Sequence, residues 1–208
     1  AFALALSAAA AHAAGVTLRN GDLVVTDLTG PGSGVLRVDP ASGAQTPISS
    51  AGLFVNPLGV AVDRNGDVLV CASGAGGVYR IVTGSGAGGV YRIVTGSGAQ
   101  SVVSEADMLA GPAGIAIAAD GTLLVSDLGA FGGPGGVIRV DPTSGAQDAV
   151  TSGGHFVNPF GIAVESGGDI VVVDSAAFPD GRGGVIRVDP ASGTQTVVSS
   201  GGMFVDPI

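Results

Sequence analysis

Short runs of Val, Ile, Leu and Ala, separated by clusters of Gly, Pro, Asp and Asn, are the main pattern along this chain. Between Pro112 and Asn158 four such runs follow one another: GIAIA, TLLVS, GVIRV and AQDAV. Apolar runs of this length, bounded by turn residues, predict β-strands. No segment after the first 13 residues has the period of an amphipathic helix. The pattern therefore predicts an all-β protein.

The four-strand pattern repeats along the chain. The units are predicted at residues 14–56, 57–111, 112–158 and 159–206, and residues 207–208 begin a further one. Turns such as RNGD and ADGT separate strands one and two, and DPASG-type turns separate strands three and four. A period of about 45 residues, with four strands in each unit, is typical of a β-propeller. We therefore expect a propeller domain over residues 14–208, with about four antiparallel, four-stranded blades.

The second unit contains an exact tandem duplication. Residues 73–84 and 85–96 both read SGAGGVYRIVTG. One added strand would bring the chain to the wrong face of the blade, so the insert must be compensated. Either the copy at 85–96 becomes strand four and residues 100–111 become a connection, or one copy forms a Gly-rich loop. Burial of the valines and isoleucine of the second copy favours the first solution.

The first 13 residues have a different character. The segment AFALALSAAAAHA is small and apolar and ends in an A-x-A sequence, which is the pattern of a secretory signal peptide that lacks its basic start. Residues 1–13 are therefore predicted to be a leader, and the protein to be secreted or periplasmic.

Composition excludes several functions. The net charge is −9 and all eight basic residues are Arg, so no Lys can form a Schiff base. An acidic chain without a basic stripe is not expected to bind nucleic acid, and no membrane insertion is expected. Cys71 is the only cysteine, which excludes an internal disulfide.

Strand parity assigns the connections to two faces. The turns between strands one and two and between strands three and four share one face. The longer connections, including residues 128–136 and 175–184, share the opposite face, which we call the long-loop face. Because loops on a rigid scaffold carry most binding sites, a protein or small-molecule ligand is expected there.

The motif P-x-G-I-A-V-x-x-x-G-x-[IL]-x-V-x-D, followed by GGVIRVDPxSG, resembles NHL-repeat propellers. It is also similar to the wider group of gluconolactonase-like and streptogramin-lyase-like propellers. The resemblance implies a six-bladed ring, of which this chain would be a fragment. It also implies metal-binding Asn or Asp after the proline that begins strand one. The residues at those positions are Leu58, Ala113, Phe160 and Ile208, which cannot bind a metal. This departure counts against lactonase activity.

Two columns of polar residues recur between units. Asp27, Asp127 and Asp174 end strand two in three units. One interpretation is a ring of carboxylates that binds a cation. We favour the alternative, in which each Asp has a structural role and either caps a loop or pairs with the Arg of strand three. Asn56, Asn158 and Asp206 precede the strand-one proline, where they would bind Ca²⁺ at the channel mouth or form Asx turns. His155 breaks an apolar column and is a further candidate at the rim.

Two functions remain open at this point. The first is a secreted, non-catalytic, NHL-like propeller that serves as a binding or scaffold module, with no catalytic residue and no cofactor. The second is a metal-dependent lactonase, hydrolase or lyase, with its remaining ligands in further blades.

Overall fold

The computed structural model describes residues 16–28, 34–50, 56–73, 88–95, 97, 99–178 and 181–208. Their strands form four antiparallel sheets, each an up-and-down meander of neighbouring strands. The sheets follow one another along the chain as propeller blades, so the predicted all-β propeller is confirmed. The predicted leader, residues 1–13, lies outside the described residues. In the part of the chain that the structure describes, no helix is long and apolar enough to cross a membrane.

The strands are numbered along the chain. The first sheet contains β1 (Leu23–Asp27), β2 (Gly34–Val38) and β3 (Gln45–Ser50). The second sheet contains β4 (Pro57–Val62), β5 (Val68–Ala72), β6 (Gly89–Val94) and β7 (Ala99–Glu105). The third sheet contains β8 (Pro112–Ile117), β9 (Leu123–Asp127), β10 (Gly136–Val140) and β11 (Gln147–Ser152). The fourth sheet contains β12 (Pro159–Val164), β13 (Ile170–Asp174), β14 (Gly184–Val188) and β15 (Gln195–Ser200).

The prediction that the second copy of the duplication becomes strand four is wrong. Its residues 89–94 form β6, the third strand of the second sheet, and β7 is the fourth. Residues 99–105 pair with β6 along their length, and Gln100 of β7 makes the same kind of contact with the preceding sheet as its counterparts do. Its Nε2 donates a hydrogen bond of 2.8 Å to Oγ of Ser49. Residues 74–87, which hold most of the first copy, lie outside the described residues.

The hydrophobic core lies between successive sheets. Three clusters of buried residues fill the three junctions, and each combines residues from two neighbouring sheets. In the last junction, for example, Leu124 and Phe156 pack with Ile170 and Ile186. The strands β4, β8 and β12 lie side by side at the centre, with β1 next to β4. Successive blades are therefore held together mainly by apolar burial.

The turns between strands three and four have one repeated geometry. Oδ1 of Asp141 accepts hydrogen bonds from the backbone N–H groups of Thr143 and Ser144, at 2.8 and 2.7 Å. Asp39 and Asp189 do the same in their own turns. Gly145 follows with a φ of +74°, a conformation that favours glycine. These Asx turns explain the repeated DPxSG sequence.

Candidate functional site

A cavity of about 450 Å³ lies between the inner strands. Its lining comes from β4, β8 and β12, together with Leu28 and Ile208. The lining residues are Leu28, Leu58, Gly59, Val60, Ala113, Gly114, Ile115, Phe160, Gly161, Ile162 and Ile208. None of these side chains carries a polar atom, so the cavity offers apolar contact and backbone groups only.

The residues after the strand-one prolines all contribute to this cavity. Leu58, Ala113, Phe160 and Ile208 are among its lining residues. These are the positions at which the lactonase-like resemblance implies metal-binding Asn or Asp. Hydrocarbon side chains supply no ligand for Ca²⁺, which needs several converging oxygens. The structure therefore places an apolar wall at the expected metal position.

The predicted Asn candidates lie beside the cavity rather than in its lining. Asn56 and Asn158 immediately precede β4 and β12, and their backbone oxygens accept the N–H groups of Ser73 and Ser175, at 3.2 and 3.1 Å. Asn56 has a φ of +53°, a conformation that Asn tolerates better than most residues. Asp206 holds the equivalent position before Pro207, and its side chain is exposed. These contacts put the column at the end of the blades where the long connections lie.

His155 lies at the junction between the third and fourth sheets. Its ring centroid is 6.2 Å from that of Phe178, and its backbone N–H donates a hydrogen bond of 2.8 Å to Oε1 of Gln195. The side chain is exposed. Among the described residues, no three His, Cys, Asp or Glu side chains are grouped so that they could hold a metal ion.

The Asp column has a structural role in the two units where its contacts are described. Oδ2 of Asp127 accepts the N–H of Ala110 at 2.9 Å, and Oδ1 accepts those of Gly111 and Gly129 at 3.0 and 2.9 Å. Asp174 makes the same contacts with Val157, Asn158 and Ala176. Both side chains are fully buried. Each carboxylate thus joins the connection that enters its blade to the loop that follows strand two.

The environment of Asp127 acts on its pKa in two directions. Burial raises the pKa of this carboxyl above its usual value, and the N–H groups of Gly111, Gly129 and Ala110 oppose that shift. Asp27 holds the equivalent register position in the first sheet, because it ends β1 opposite Gly34 as Asp127 ends β9 opposite Gly136.

The alternative pairing of the Asp column with the strand-three arginines is wrong. These arginines pair with acidic residues around the turn between strands one and two, at the other end of the blade: Arg37 with Asp22, Arg92 with Asp63 and Asp67, and Arg187 with Glu165. In the third unit Arg139 instead donates to the backbone oxygen of Pro190 in the next sheet, at 2.9 Å. The register explains the difference, because Asp127 is opposite Gly136 whereas Arg139 is opposite Leu124.

Two further sequence features have packing roles. Cys71 is fully buried, and burial raises the pKa of its thiol far above the usual value, so it is not a nucleophile at neutral pH. Phe131 and Phe178 cover the first residue of strand three. A Cβ atom at Gly136 would lie 2.9 Å from Cε2 of Phe131, and one at Gly184 would lie 2.5 Å from Cε2 of Phe178.

Sequence reasoning missed a repeated polar contact between sheets. The first or second residue of strand four is a Gln whose Nε2 donates to a hydroxyl of the preceding sheet. The pairs are Gln100–Ser49, Gln147–Ser104 and Gln195–Thr151, at 2.8, 2.9 and 3.0 Å. In two of these junctions the Gln Oε1 also accepts a backbone N–H, from Met108 or His155. We call this arrangement the Gln clamp. The recurring SGAQ and SGTQ segments were its only signal.

Comparisons with known proteins identify the fold alone. No protein-family model matches the chain, and no curated protein matches it. Among solved structures, a gluconolactonase from Xanthomonas campestris has a TM-score of 0.57 and 19% identity, over 78% of this chain and 54% of that chain. Virginiamycin B lyase from Staphylococcus aureus has a TM-score of 0.53 and 16% identity, over 78% and 47%. A structure of the nidogen/laminin complex gives a TM-score of 0.61 and 13% identity, over 85% and 57%.

This chain therefore spans about half the length of the structures that it resembles. The likeness agrees with the four meandering sheets and with the resemblance drawn from the repeated sequence motif. The chain has the β-propeller fold that gluconolactonase-like and virginiamycin B lyase structures share.

Proposed function

We propose that this protein is a non-catalytic binding or scaffold module with a ligand site on the long-loop face. The observation that carries the proposal is the apolar wall formed by Leu58, Ala113, Phe160 and Ile208 around the central cavity. The resemblance to gluconolactonase-like propellers implies metal-binding Asn or Asp at these positions, where the chain has hydrocarbon side chains. An apolar cavity instead accepts an apolar group from a small molecule or from a protein partner.

The nearby polar groups support the same conclusion. The carboxylates of Asp127 and Asp174 are occupied by backbone N–H groups, and the Cys71 thiol is buried. His155 contacts Phe178 and has no carboxylate partner in the described part of the chain. Neither the Cys71 thiol nor these two carboxylates are therefore open to a substrate.

Bound metal is the direct test. We expect the purified chain to hold no stoichiometric Ca²⁺ or Zn²⁺, and its melting temperature to stay unchanged when either ion is added, because a ligand of the native state raises it. Stoichiometric metal, with a melting-temperature response that Asn158→Ala removes, would contradict the proposal.

The same measurement tests the second candidate function, a metal-dependent lactonase or lyase. The likeness to gluconolactonase and virginiamycin B lyase structures favours it. Both forms of that function require bound metal, and the lactonase form also requires turnover of a lactone such as glucono-1,5-lactone.

The cavity can be tested with an apolar dye, 1-anilinonaphthalene-8-sulfonate. We expect Phe160→Ser to weaken dye binding, because Phe160 lines the cavity. Val102→Ser is the control, since Val102 is a 45% exposed apolar residue of β7, the strand of the second sheet farthest from β4, which lines the cavity. Equal dye binding by both variants would count against the cavity as the ligand site.

We further propose that the module is exported. The supporting feature is the small, apolar segment at residues 1–13, which ends in A-x-A. When the chain is expressed in a Gram-negative host with a Met and a basic segment added in front, we expect periplasmic protein whose first residue is Ala14. Uncleaved protein in the cytoplasm would contradict export.

A further inference from the structure

A second cavity opens on the face of the short turns, opposite the long-loop face. Its volume is about 310 Å³, and it lies between the second and third sheets. The β4–β5, β8–β9 and β10–β11 turns contribute to its lining, which shares no residue with that of the central cavity. Its apolar part is formed by Leu69, Ile117 and Leu123. We call it the junction cavity.

Two arginines line the junction cavity, and both have unused donors. Nη2 of Arg64 donates to the backbone oxygen of Ala119 across the junction, at 2.5 Å. Nη1 of Arg92 donates to Oδ2 of Asp63 at 2.6 Å and to Oδ2 of Asp67 at 3.2 Å. Within the part of the chain that the structure describes, Arg64 has no carboxylate partner, and Nε and Nη2 of Arg92 have no acceptor.

The acidic side of the lining is already occupied. Asp63 is the only carboxylate among the described lining residues. Its Oδ1 accepts the N–H groups of Asn65 and Asp67 at 2.8 and 3.0 Å, and its Oδ2 accepts Arg92. A guanidinium group has donors and no acceptor. The charged side chains of the lining therefore have donors to spare, and two arginines against one aspartate give the lining a net positive charge in a chain whose total is −9.

The next junction shows what fills the equivalent space when it is closed. Between the third and fourth sheets, Nη2 of Arg139 donates to the backbone oxygen of Pro190 at 2.9 Å. Arg92 and Pro142 are the equivalent residues of the junction cavity, and both line it. No hydrogen bond joins these two among the described contacts, because Arg92 is directed to its own sheet.

Two acidic residues of the β4–β5 turn account for this difference. Asp63 and Asp67 hold Arg92 against the second sheet. The equivalent residues of the third sheet are Ala118 and Thr122, which pair across their turn as Asp63 and Asp67 do but carry no charge. A space that an arginine spans in the next junction therefore stays open in this one.

We propose that the junction cavity binds a small carboxylate with an apolar body, such as an aromatic or short-chain carboxylic acid. The carboxylate accepts N–H groups from Arg64 and Arg92, because a guanidinium fork matches the two oxygens of a carboxylate. A single negative charge also balances the lining. The apolar body packs on the leucines and the isoleucine, and about 310 Å³ lies at the lower end of the volumes of small-molecule sites. This site does not depend on the ligand site of the proposed function.

Titration of the 208-residue chain with 2-naphthoate at pH 7, followed by the fluorescence of the ligand, tests the proposal. We expect saturable binding to one site per chain. The alcohol 2-naphthalenemethanol has the same apolar body without the charge, and its dissociation constant should be at least about tenfold higher, because charge-assisted hydrogen bonds are lost. Arg64→Ala should raise the dissociation constant for 2-naphthoate by a similar factor. Thr143→Phe, which narrows the cavity and keeps both arginines, should also weaken binding.

The matched control is Arg19→Ala. Arg19 begins the RNGD turn of the first sheet as Arg64 begins that of the second, and both are exposed. Its removal changes the net charge of the chain equally, but Arg19 is not in the lining of either described cavity. We therefore expect the dissociation constant for 2-naphthoate to change by less than about twofold. Circular dichroism verifies that each variant is folded.

Several results would overturn the proposal. They are the absence of saturable 2-naphthoate binding, equal affinity for the alcohol, and an equal loss of binding in Arg64→Ala and Arg19→Ala. Binding that Phe160→Ser removes and Arg64→Ala retains would place 2-naphthoate in the central cavity, which overturns this proposal and leaves the proposed function in place. The metal measurements of the proposed function involve neither arginine, so the two proposals can fail separately.

Discussion

Oγ of Ser126 on β9 donates a hydrogen bond to the backbone oxygen of Phe160 on β12, across the junction between the third and fourth sheets. The same Oγ accepts the N–H of Gly114 at 3.0 Å. In the first junction Oγ1 of Thr26 donates to the oxygen of Leu58 at 2.6 Å. In the second junction Sγ of Cys71 lies 3.6 Å from the oxygen of Gly114. A residue with a short polar side chain therefore links each of the first three blades to the inner strand of the next.

Ser126→Ala should destabilise the protein by about 1–3 kcal/mol. The substitution leaves the N–H of Gly114 and the oxygen of Phe160 without their partner in a buried site, which costs the desolvation of those groups. Equilibrium unfolding in urea measures the change.

Val173→Thr is the matched control for this prediction. Val173 is the equivalent residue of the fourth sheet, and it is only partly buried. We expect its substitution to change the free energy of unfolding by no more than about 0.5 kcal/mol. If Ser126→Ala were equally neutral, the bridging hydrogen bond would contribute nothing to the junction.

Asp127→Asn should also cost about 1–3 kcal/mol. An Asn side chain has one acceptor oxygen in place of two. Its NH₂ group would therefore face the backbone N–H of Ala110 or Gly111, which now donates a hydrogen bond to the Asp127 carboxylate. A buried donor would then be left unsatisfied. Thermal and urea unfolding at pH 7 check this.

The exposed Asp120 provides the comparison. It accepts hydrogen bonds from the N–H and the hydroxyl of Thr122, within its own turn, and the Asn oxygen can accept the same bonds. Asp120→Asn should therefore leave stability nearly unchanged. Equal losses in the two variants would show that removal of a charge, rather than the buried contacts of Asp127, is responsible.

Acid should destabilise the protein partly through its three Asx turns. Hydrogen bonds from backbone N–H groups lower the pKa of Asp39, Asp141 and Asp189. A carboxyl with a lowered folded-state pKa stabilises the fold fully above its unfolded pKa, about 3.9, and loses this contribution as the pH falls through the folded value. The triple variant Asp39→Asn, Asp141→Asn, Asp189→Asn keeps the acceptor oxygens, so its stability should fall less steeply on acidification.

A second triple variant has the same change in net charge. Asp107, Asp148 and Asp206 accept no hydrogen bond among the described residues, so their replacement by Asn removes the same charge without changing an Asx turn. The slope is measured by urea unfolding between pH 5 and pH 2.5. If both triple variants flattened it equally, general charge repulsion would explain the acid sensitivity.

The repeated sequence predicted the blades and their turns because each rests on local chemistry. Pro and Gly fix the tight turns, and short apolar runs form the strands. The same periodicity revealed the Asp column, yet it could not identify the contacts of Asp127, since the N–H groups that it accepts come from two separate connections. The antiparallel register would have excluded the Arg pairing, because Arg139 is opposite Leu124 rather than Asp127.

The cavity lining was only partly accessible from sequence. The apolar residues after the prolines were visible in the repeats, whereas their meeting around one cavity depends on how β4, β8 and β12 lie together. The Gln clamp was missed for the same reason. A Gln at the exit of a turn is unremarkable in one strand, and its partner belongs to the preceding blade, about 45 residues earlier.

Deletion of residues 85–96 should leave stability equal or improved. Because the two copies are identical, removal of either yields the same chain, and that chain still contains the GVYRIV sequence that forms β6. The connection between β5 and β6 becomes shorter, which lowers the entropy cost of closing it. The copy that remains supplies the same Val, Tyr and Ile side chains that are buried in the second sheet as Val90, Tyr91 and Ile93. Urea unfolding of the deletion variant, beside the full chain, measures the effect. A loss of several kcal/mol would mean that the additional copy supports the second blade, and a loss of dye or partner binding at unchanged stability would instead give it a role at the long-loop face.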